Sequence, residues 1–411
     1  MKLMVYSHDA FGLGNIRRML AICQYLLKTI PKISILVVSG SPALHSLRLP
    51  AGLDYIKLPC IGRDESGAVA AKYLDTEIEE AVKLRSDLIL SVTRNFKPNL
   101  LLVDKKPNGL QSELKDTLAY LKSDRPETKL VLLLRDILDR PEATIAQWQR
   151  HSYYDIIASQ YDQVWVVGTP DVFDVRTEYQ FPHSVACKVR FCGYIQREPG
   201  FTPRAVLRQE LQLQPDQSLV LVTPGGGDDG YHLVDTYLSG LVTLPSSITS
   251  LIVSGPEMPA SERESLRQRV AQHDRACFLE FTDDMASYMD AADVVVSMGG
   301  YNTIGEILSL RKRAIVVPRI QPVEEQWIRA ERMSQLGLFR AIHPDHLTPE
   351  SLGQALMEAL VAQPIAPFPL DMGALPRIAD YLTDLMSHRS ETYAAARCTL
   401  PMSNVLVEAI V

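Results

Sequence analysis

No apolar run in this sequence approaches the roughly 18 residues that a membrane-spanning helix requires. Cysteine is sparse: Cys23, Cys60, Cys187, Cys192, Cys277 and Cys398 include no CxxC pair, which excludes a disulfide framework. They read as small buried hydrophobes in a reducing compartment. The histidines show no HxxxH or HExxH spacing, so no catalytic metal is expected. A surplus of positive charge is missing too. Lys and Arg number 42 against 49 Asp and Glu, a net charge of −7, which argues against dedicated nucleic-acid binding. Polar residues come too early in MKLMVYSHDAFG for a secretory signal. These absences point to a cytoplasmic protein without a transmembrane segment, with peripheral contact at the inner face of a membrane left open.

What is present is length. A chain of 411 residues exceeds the roughly 250–300 at which a single core stops growing, so two domains are expected. Short apolar segments at 3–6, 33–38, 100–103, 130–134 and 163–167 alternate with amphipathic stretches. The same alternation returns at 219–223, 251–253, 277–280, 294–297 and 314–317. Buried strands separated by helices imply parallel sheets covered on both faces. The expected class is α/β, with two doubly wound Rossmann-like domains facing across a cleft. Residues 1–195 make the first domain and 200–370 the second, joined near Gly193, Pro199, Gly200 and Pro203; 371–386 is a final helix and 387–411 a tail of unassigned role. Charge is split unevenly, 25 basic against 22 acidic residues in 1–195 and 17 against 27 thereafter. On charge alone, an anion would meet the first half.

The loops reverse that expectation. In VVVSMGGYNTIGE (294–306) a buried strand ends in small residues and a helix begins at once. Free N–H groups at such a start hold an anion without lysine, and Gly299 and Gly300 allow close approach. Asn302 and Thr303 can cap the helix or donate to phosphate. Glu306, one turn on, suits the paired hydroxyls of a sugar. The bland alternative is a strand, a turn and a capped helix with a solvated glutamate. Gly225, Gly226 and Gly227, followed by Asp228 and Asp229, form either a backbone nest for a pyrophosphate or a flexible turn. This loop is not a Walker loop, for no Lys-Ser/Thr follows, and no GxGxxG marks a dinucleotide site.

At the first strand's end, SHDAFGLGNIRR (7–18) places His8 and Asp9 before Gly12, Gly14 and Asn15. A histidine beside a carboxylate is a candidate general base, or both simply bond loop backbone. Arg17, Arg18, Lys105 and Lys106 offer positive charge on the same side, or solvated surface charge. Glu325 and Gln326 open a helix at another strand's carboxyl end, where sugar recognition would sit; as surface residues they would be unremarkable.

These segments resemble the GT-B glycosyltransferases of the MurG type (glycosyltransferase family 28-like). The likeness is strongest over Phe281–Ala330, in TDDMASYMDAADVVVS, GGYNTIGEI and EEQWIRA. The resemblance implies that Phe281, Thr282 and Met285 lie by the nucleobase, Gly299, Gly300, Asn302 and Thr303 at the diphosphate, and Glu306 at the ribose. It implies further that Glu325 and Gln326 meet the donor sugar, that Gly225–Gly227 faces the phosphates, and that the final helix crosses back to the first domain. Where relatives end the first glycine loop in histidine, this chain has Asn15, and an amide accepts no proton at neutral pH. His8 or Asp9 then becomes the base.

The resulting expectation is an inverting, metal-independent glycosyltransferase that moves a sugar from a UDP-linked donor to an acceptor hydroxyl. The acceptor is unidentified, with phosphorylated or lipid-linked molecules in view, and no cofactor is implied beyond the nucleotide-sugar co-substrate. Two alternatives stay open: a nucleotide-sugar hydrolase or 2-epimerase on the same fold, and a non-catalytic nucleotide-sugar-binding protein.

Overall fold

The computed structural model describes residues 1–7, 14–42, 49–63, 68–362 and 370–387. Seven parallel strands form the first sheet: β1 (Lys2–Ser7), β2 (Ser34–Ser39), β3 (Leu53–Lys57), β6 (Leu100–Asp104), β7 (Lys129–Arg135), β8 (Gln163–Val167) and β9 (Val189–Phe191). Between them β4 (Ile61–Arg63) and β5 (Val69–Ala71) pair as a separate antiparallel ribbon. The second sheet contains β10 (Ser218–Thr223), β11 (Ile248–Val253), β12 (Ala276–Leu279), β13 (Val294–Ser297), β14 (Arg313–Val316) and β15 (Arg340–Ala341), also parallel.

Strand order is β3-β2-β1-β6-β7-β8-β9 in one sheet and β12-β11-β10-β13-β14-β15 in the other. In both, the order reverses beside the first strand, and ligands of such sheets bind in the crevice at that switch point. The crevices therefore open between the ends of β1 and β6, at Ser7 and Asp104, and between β10 and β13, at Thr223 and Ser297. Central strands such as LLLVD (100–104) are buried at every residue, since helices cover both faces.

The helix Ala374–Ser387 belongs to the first domain's core. Ala374, Ile378 and Leu382 pack in one cluster with Trp165 and with Ile16, Met19 and Cys23 of the helix Gly14–Thr29. The chain crosses itself on the way. The N–H of Tyr194 donates to Asp371 O (2.7 Å), and a Cβ at Gly193 would lie 2.8 Å from that oxygen, so only glycine fits, here at φ +84°.

Three departures from the sequence reading stand out. The expected helix over 110–121 is a short 3-10 turn at Leu110–Ser112 and a separate helix at Lys115–Asp124, divided where Gln111 and Ser112 take positive φ. Helices at Pro141–Arg150 and Tyr153–Gln160 join β7 to β8. Of the cysteines, Cys23, Cys60 and Cys192 are buried, but Cys187 and Cys277 are exposed; Cys398 lies outside the described residues.

Candidate functional site

Three of the predicted loops leave the two crevices within the described residues: Gly225–Gly227 after β10, Gly299–Gly300 after β13, and Lys105–Lys106 after β6. The two glycine loops of the second domain lie side by side. A Cβ at Gly225 would stand 3.4 Å from Thr303 Oγ1, and one at Gly300 would stand 3.8 Å from the same atom. Gly225 and Gly227 have φ of +85° and +99°. At Gly227 a side chain would strike the backbone oxygen of Ser254 at 2.3 Å. The loop is thus a backbone surface by steric necessity.

The helix Tyr301–Ser309 starts with Gly300 as its N-cap, which brings no side chain to the first-turn amides. Arg197, from the linker, donates through Nη2 to Asn302 Oδ1 (2.5 Å). Its Nε is buried with no partner among the described residues, and burial pushes the guanidinium's pKa down while Glu306 pulls it up. Glu306 lies four residues past Asn302, on the same helix face. Burial pushes its carboxyl up, against the opposing charges of Arg197 and then Arg17. An arginine and a half-desolvated carboxylate thus share one face with a helix start. Arg197 went unsignalled in the sequence because it lies in the linker, outside any strand-end motif.

Tyr301 turns away from this face into the first domain. Its hydroxyl donates to Val167 O (3.1 Å), and its ring lies 5.7 Å from the Arg18 guanidinium and 5.4 Å from that of Arg329. Phe281, at the proposed base end, is 50% exposed, with Thr282 and Met285 partly buried beside it. An exposed aromatic at a strand end offers a ring face to a planar ligand.

Glu325 and Gln326 are buried, not surface helix residues, and Glu325 is 4% exposed. Arg135 Nη1 donates to Glu325 Oε1 (2.9 Å) and Arg329 Nη2 to Oε2 (3.0 Å). Burial raises this carboxyl, but the Arg135 and Arg329 charges overcome it and bring it down to about 2. Gln326 packs on the glycine turn: a Cβ at Gly299 would lie 3.3 Å from Gln326 Cβ, and Gln326 Oε1 accepts the Arg319 N–H at 3.4 Å.

On the first-domain side, Arg18 is no surface charge. It is 2% exposed and paired with Asp104 (2.6 Å). Arg17 is exposed, and Gly14 and Asn15 begin the helix Gly14–Thr29. Lys105 stands at φ +68°, its N–H donating to Leu133 O (2.9 Å). Burial, then Arg135, lowers its amine to about 8, against the pull of Glu325 and Asp104. Lys106, next in the chain, is partly buried. His8, Asp9 and Gly12 lie outside the described residues. Among the described residues no group of three or more His, Cys, Asp or Glu is placed to hold a metal ion, and no helix is long and apolar enough to cross a membrane.

Known proteins resemble this chain in sequence and in fold. Residues 220–365 match the glycosyltransferase family 28 C-terminal domain. An uncharacterised glycosyltransferase of Methanopyrus kandleri is 28% identical over 197 residues, covering 47% of this chain and 53% of that protein. The UDP-N-acetylglucosamine–N-acetylmuramyl-(pentapeptide) pyrophosphoryl-undecaprenol N-acetylglucosamine transferase of Clostridioides difficile is 24% identical over 189 residues, 44% of each chain. The chain thus spans about half the length of these curated relatives. Among solved structures, MurG of Acinetobacter baumannii aligns with a TM-score of 0.61 at 15% identity, covering 93% of this chain and 99% of that one. The UDP-GlcNAc 2-epimerase of Methanocaldococcus jannaschii gives 0.62 at 12%, covering 93% and 100%. The fold is GT-B, with two Rossmann-like domains, and the chain resembles MurG-type glycosyltransferases.

Proposed function

We propose that this chain is an inverting, metal-independent glycosyltransferase that uses a UDP-linked sugar. One observation supports the reading above others: Gly225, Gly300 and Thr303 converge at a switch point, with Glu306 and Arg197 on the adjoining helix face. Backbone amides and Arg197 suit a diphosphate, Glu306 suits ribose hydroxyls, and exposed Phe281 with Thr282 and Met285 suits the base. Glu325 and Gln326 take the sugar. In the reaction, His8 or Asp9 removes the acceptor hydroxyl's proton. The oxygen attacks the anomeric carbon, and the bond to the diphosphate breaks with its electrons leaving on UDP. Preorganised N–H dipoles and Arg197 stabilise that leaving charge, a role a divalent ion serves elsewhere. Lys105, Lys106 and Arg17 place positive charge on the acceptor side, with Arg18 buried against Asp104 behind them, which favours a phosphorylated or lipid-linked acceptor met at the inner face of a membrane.

The fold alone is shared with a 2-epimerase, and the family 28 match favours transfer. A thermal-shift panel of UDP-, GDP- and dTDP-sugars tests the donor, with a stabilisation of about 2.7 kcal/mol expected at a hundredfold excess over Kd. Glu306→Ala should lose that shift while staying folded, and an unchanged shift refutes the donor site. Turnover of UDP-sugar without acceptor would instead identify a hydrolase or epimerase. A stable complex with neither reaction would identify a binding protein, with Asn15→His as its gain-of-function test.

A further inference from the structure

Glu325 belongs to the second domain, yet the first domain determines how its carboxylate is held. The chain of contacts begins at the linker. Tyr194 Oη donates to Asp136 Oδ2 (2.9 Å), and the N–H of Ile137 donates to Asp136 Oδ1 (2.8 Å). Arg329 then meets Asp136 at two points, Nε to Oδ2 (2.8 Å) and Nη2 to Oδ1 (2.9 Å). The same guanidinium reaches Glu325 Oε2 and, through Nη1, Gly299 O (3.2 Å). Arg135, at the end of β7, closes the set on Glu325 Oε1. The start of this helix is fixed from the first domain as well, since the N–H of Glu324 donates to Asp139 Oδ1 (3.0 Å).

We propose that Arg135 is a positioning residue that holds the Glu325 carboxylate for the donor's sugar hydroxyls, so that the sugar is read only while the two domains are closed on each other. This rests on the nucleotide-sugar reading above. Each Glu325 oxygen accepts one arginine N–H and keeps acceptor capacity for a hydroxyl. Two arginines also keep the group ionised and fixed in rotation. Arg135 Nε is buried without a partner among the described residues, which leaves one donor of that guanidinium unused. The second domain alone would supply only Arg329, and Arg329 itself is oriented by first-domain Asp136. In that reading the nucleotide part of the donor lies on Gly299, Gly300 and the helix that follows, and the sugar alone lies on Glu325, the group that Arg135 holds.

Isothermal titration of the full chain with UDP and with UDP-N-acetylglucosamine, UDP-glucose and UDP-galactose tests this. In Arg135→Gln the preferred UDP-sugar should bind about tenfold more weakly, while UDP changes less than twofold. Arg135→Lys keeps the charge and one donor, and should recover most of the lost affinity; it also serves if the glutamine variant fails to fold. Equal weakening of UDP and UDP-sugar would show a merely structural arginine and overturn the proposal, as would no change in either. A wild-type chain that binds UDP no less tightly than every UDP-sugar would overturn it as well. Failure to bind UDP at all would overturn the nucleotide-sugar reading itself, a distinguishable result.

Discussion

Arg329 and Asp136 come from different domains and meet at two points, 2.8 and 2.9 Å apart, with neither side chain exposed to solvent. A pair so buried gains its worth from geometry, because both charges have been taken from water. Removing one partner is costly. Asp136→Asn should destabilise the chain by about 3–5 kcal/mol in urea unfolding, since it leaves a buried guanidinium undercompensated. The double variant Asp136→Leu/Arg329→Met should recover much of that loss. If the single variant unfolds like wild type, the pair does not join the domains as drawn.

Glu306 sets stability against binding. Its carboxyl lies above its ordinary value because burial outweighs Arg197 and Arg17, so the ionised form costs stability at neutral pH. That cost grows as pH rises through the raised value. Glu306→Gln should therefore melt slightly higher, by about 1 kcal/mol or less, while binding UDP-sugars about tenfold more weakly. A lower melting temperature would contradict the first half of this expectation.

Glu325 has the opposite sign. Its carboxyl is depressed from 4.5 to about 2, so its contribution is full above the ordinary value and lost as pH falls toward 2. Unfolding followed from pH 5 to 2 should show a steeper loss in wild type than in Glu325→Gln. Parallel profiles would mean that the carboxylate is not held as described.

Lys105 should be unusually reactive. An amine brought to about 8 is half neutral at pH 8, where an ordinary lysine is almost wholly protonated. Brief treatment with an amine-directed acylating reagent at pH 8, mapped by mass spectrometry, should label Lys105 roughly tenfold faster than exposed lysines such as Lys83. Labelling at the common rate would contradict its desolvated setting beside Arg135.

The sequence exposed the parts of this molecule that repeat locally. Val294–Val296 is apolar and β-branched, Gly299 and Gly300 follow after Ser297 and Met298, and Val294–Ser297 is a strand at the expected bounds. The same local logic identified β10 with its glycines, and the final amphipathic helix. The ribbon of β4 and β5 escaped because IGR and VAA are too short for a period to show. Glu325 shows the deeper limit. Its place at a helix start was legible, and Arg329 lies only four residues on, but its partner Arg135 was not, because a contact across 190 residues leaves no trace in local spacing. Asp136 and Arg197 were missed for the same reason: each is ordinary among its neighbours in sequence and singular only in its contacts. Net charge misled where local arrangement decides, since Arg197, Arg319 and Arg329 all lie in the acidic half.

The crossing at Gly193 and Asp371 makes the second domain an insertion: the chain leaves the first domain, builds another, and returns to finish the first with Ala374, Ile378 and Leu382 against Trp165. During synthesis the domain that begins first is therefore completed last. Its apolar face around Ile16, Met19 and Trp165 waits for about 180 residues to be made before its covering helix arrives, while the insert can fold as a unit in the meantime. A nascent chain stalled before residue 374 would expose that face, and a chaperone that shields apolar surface would meet it there.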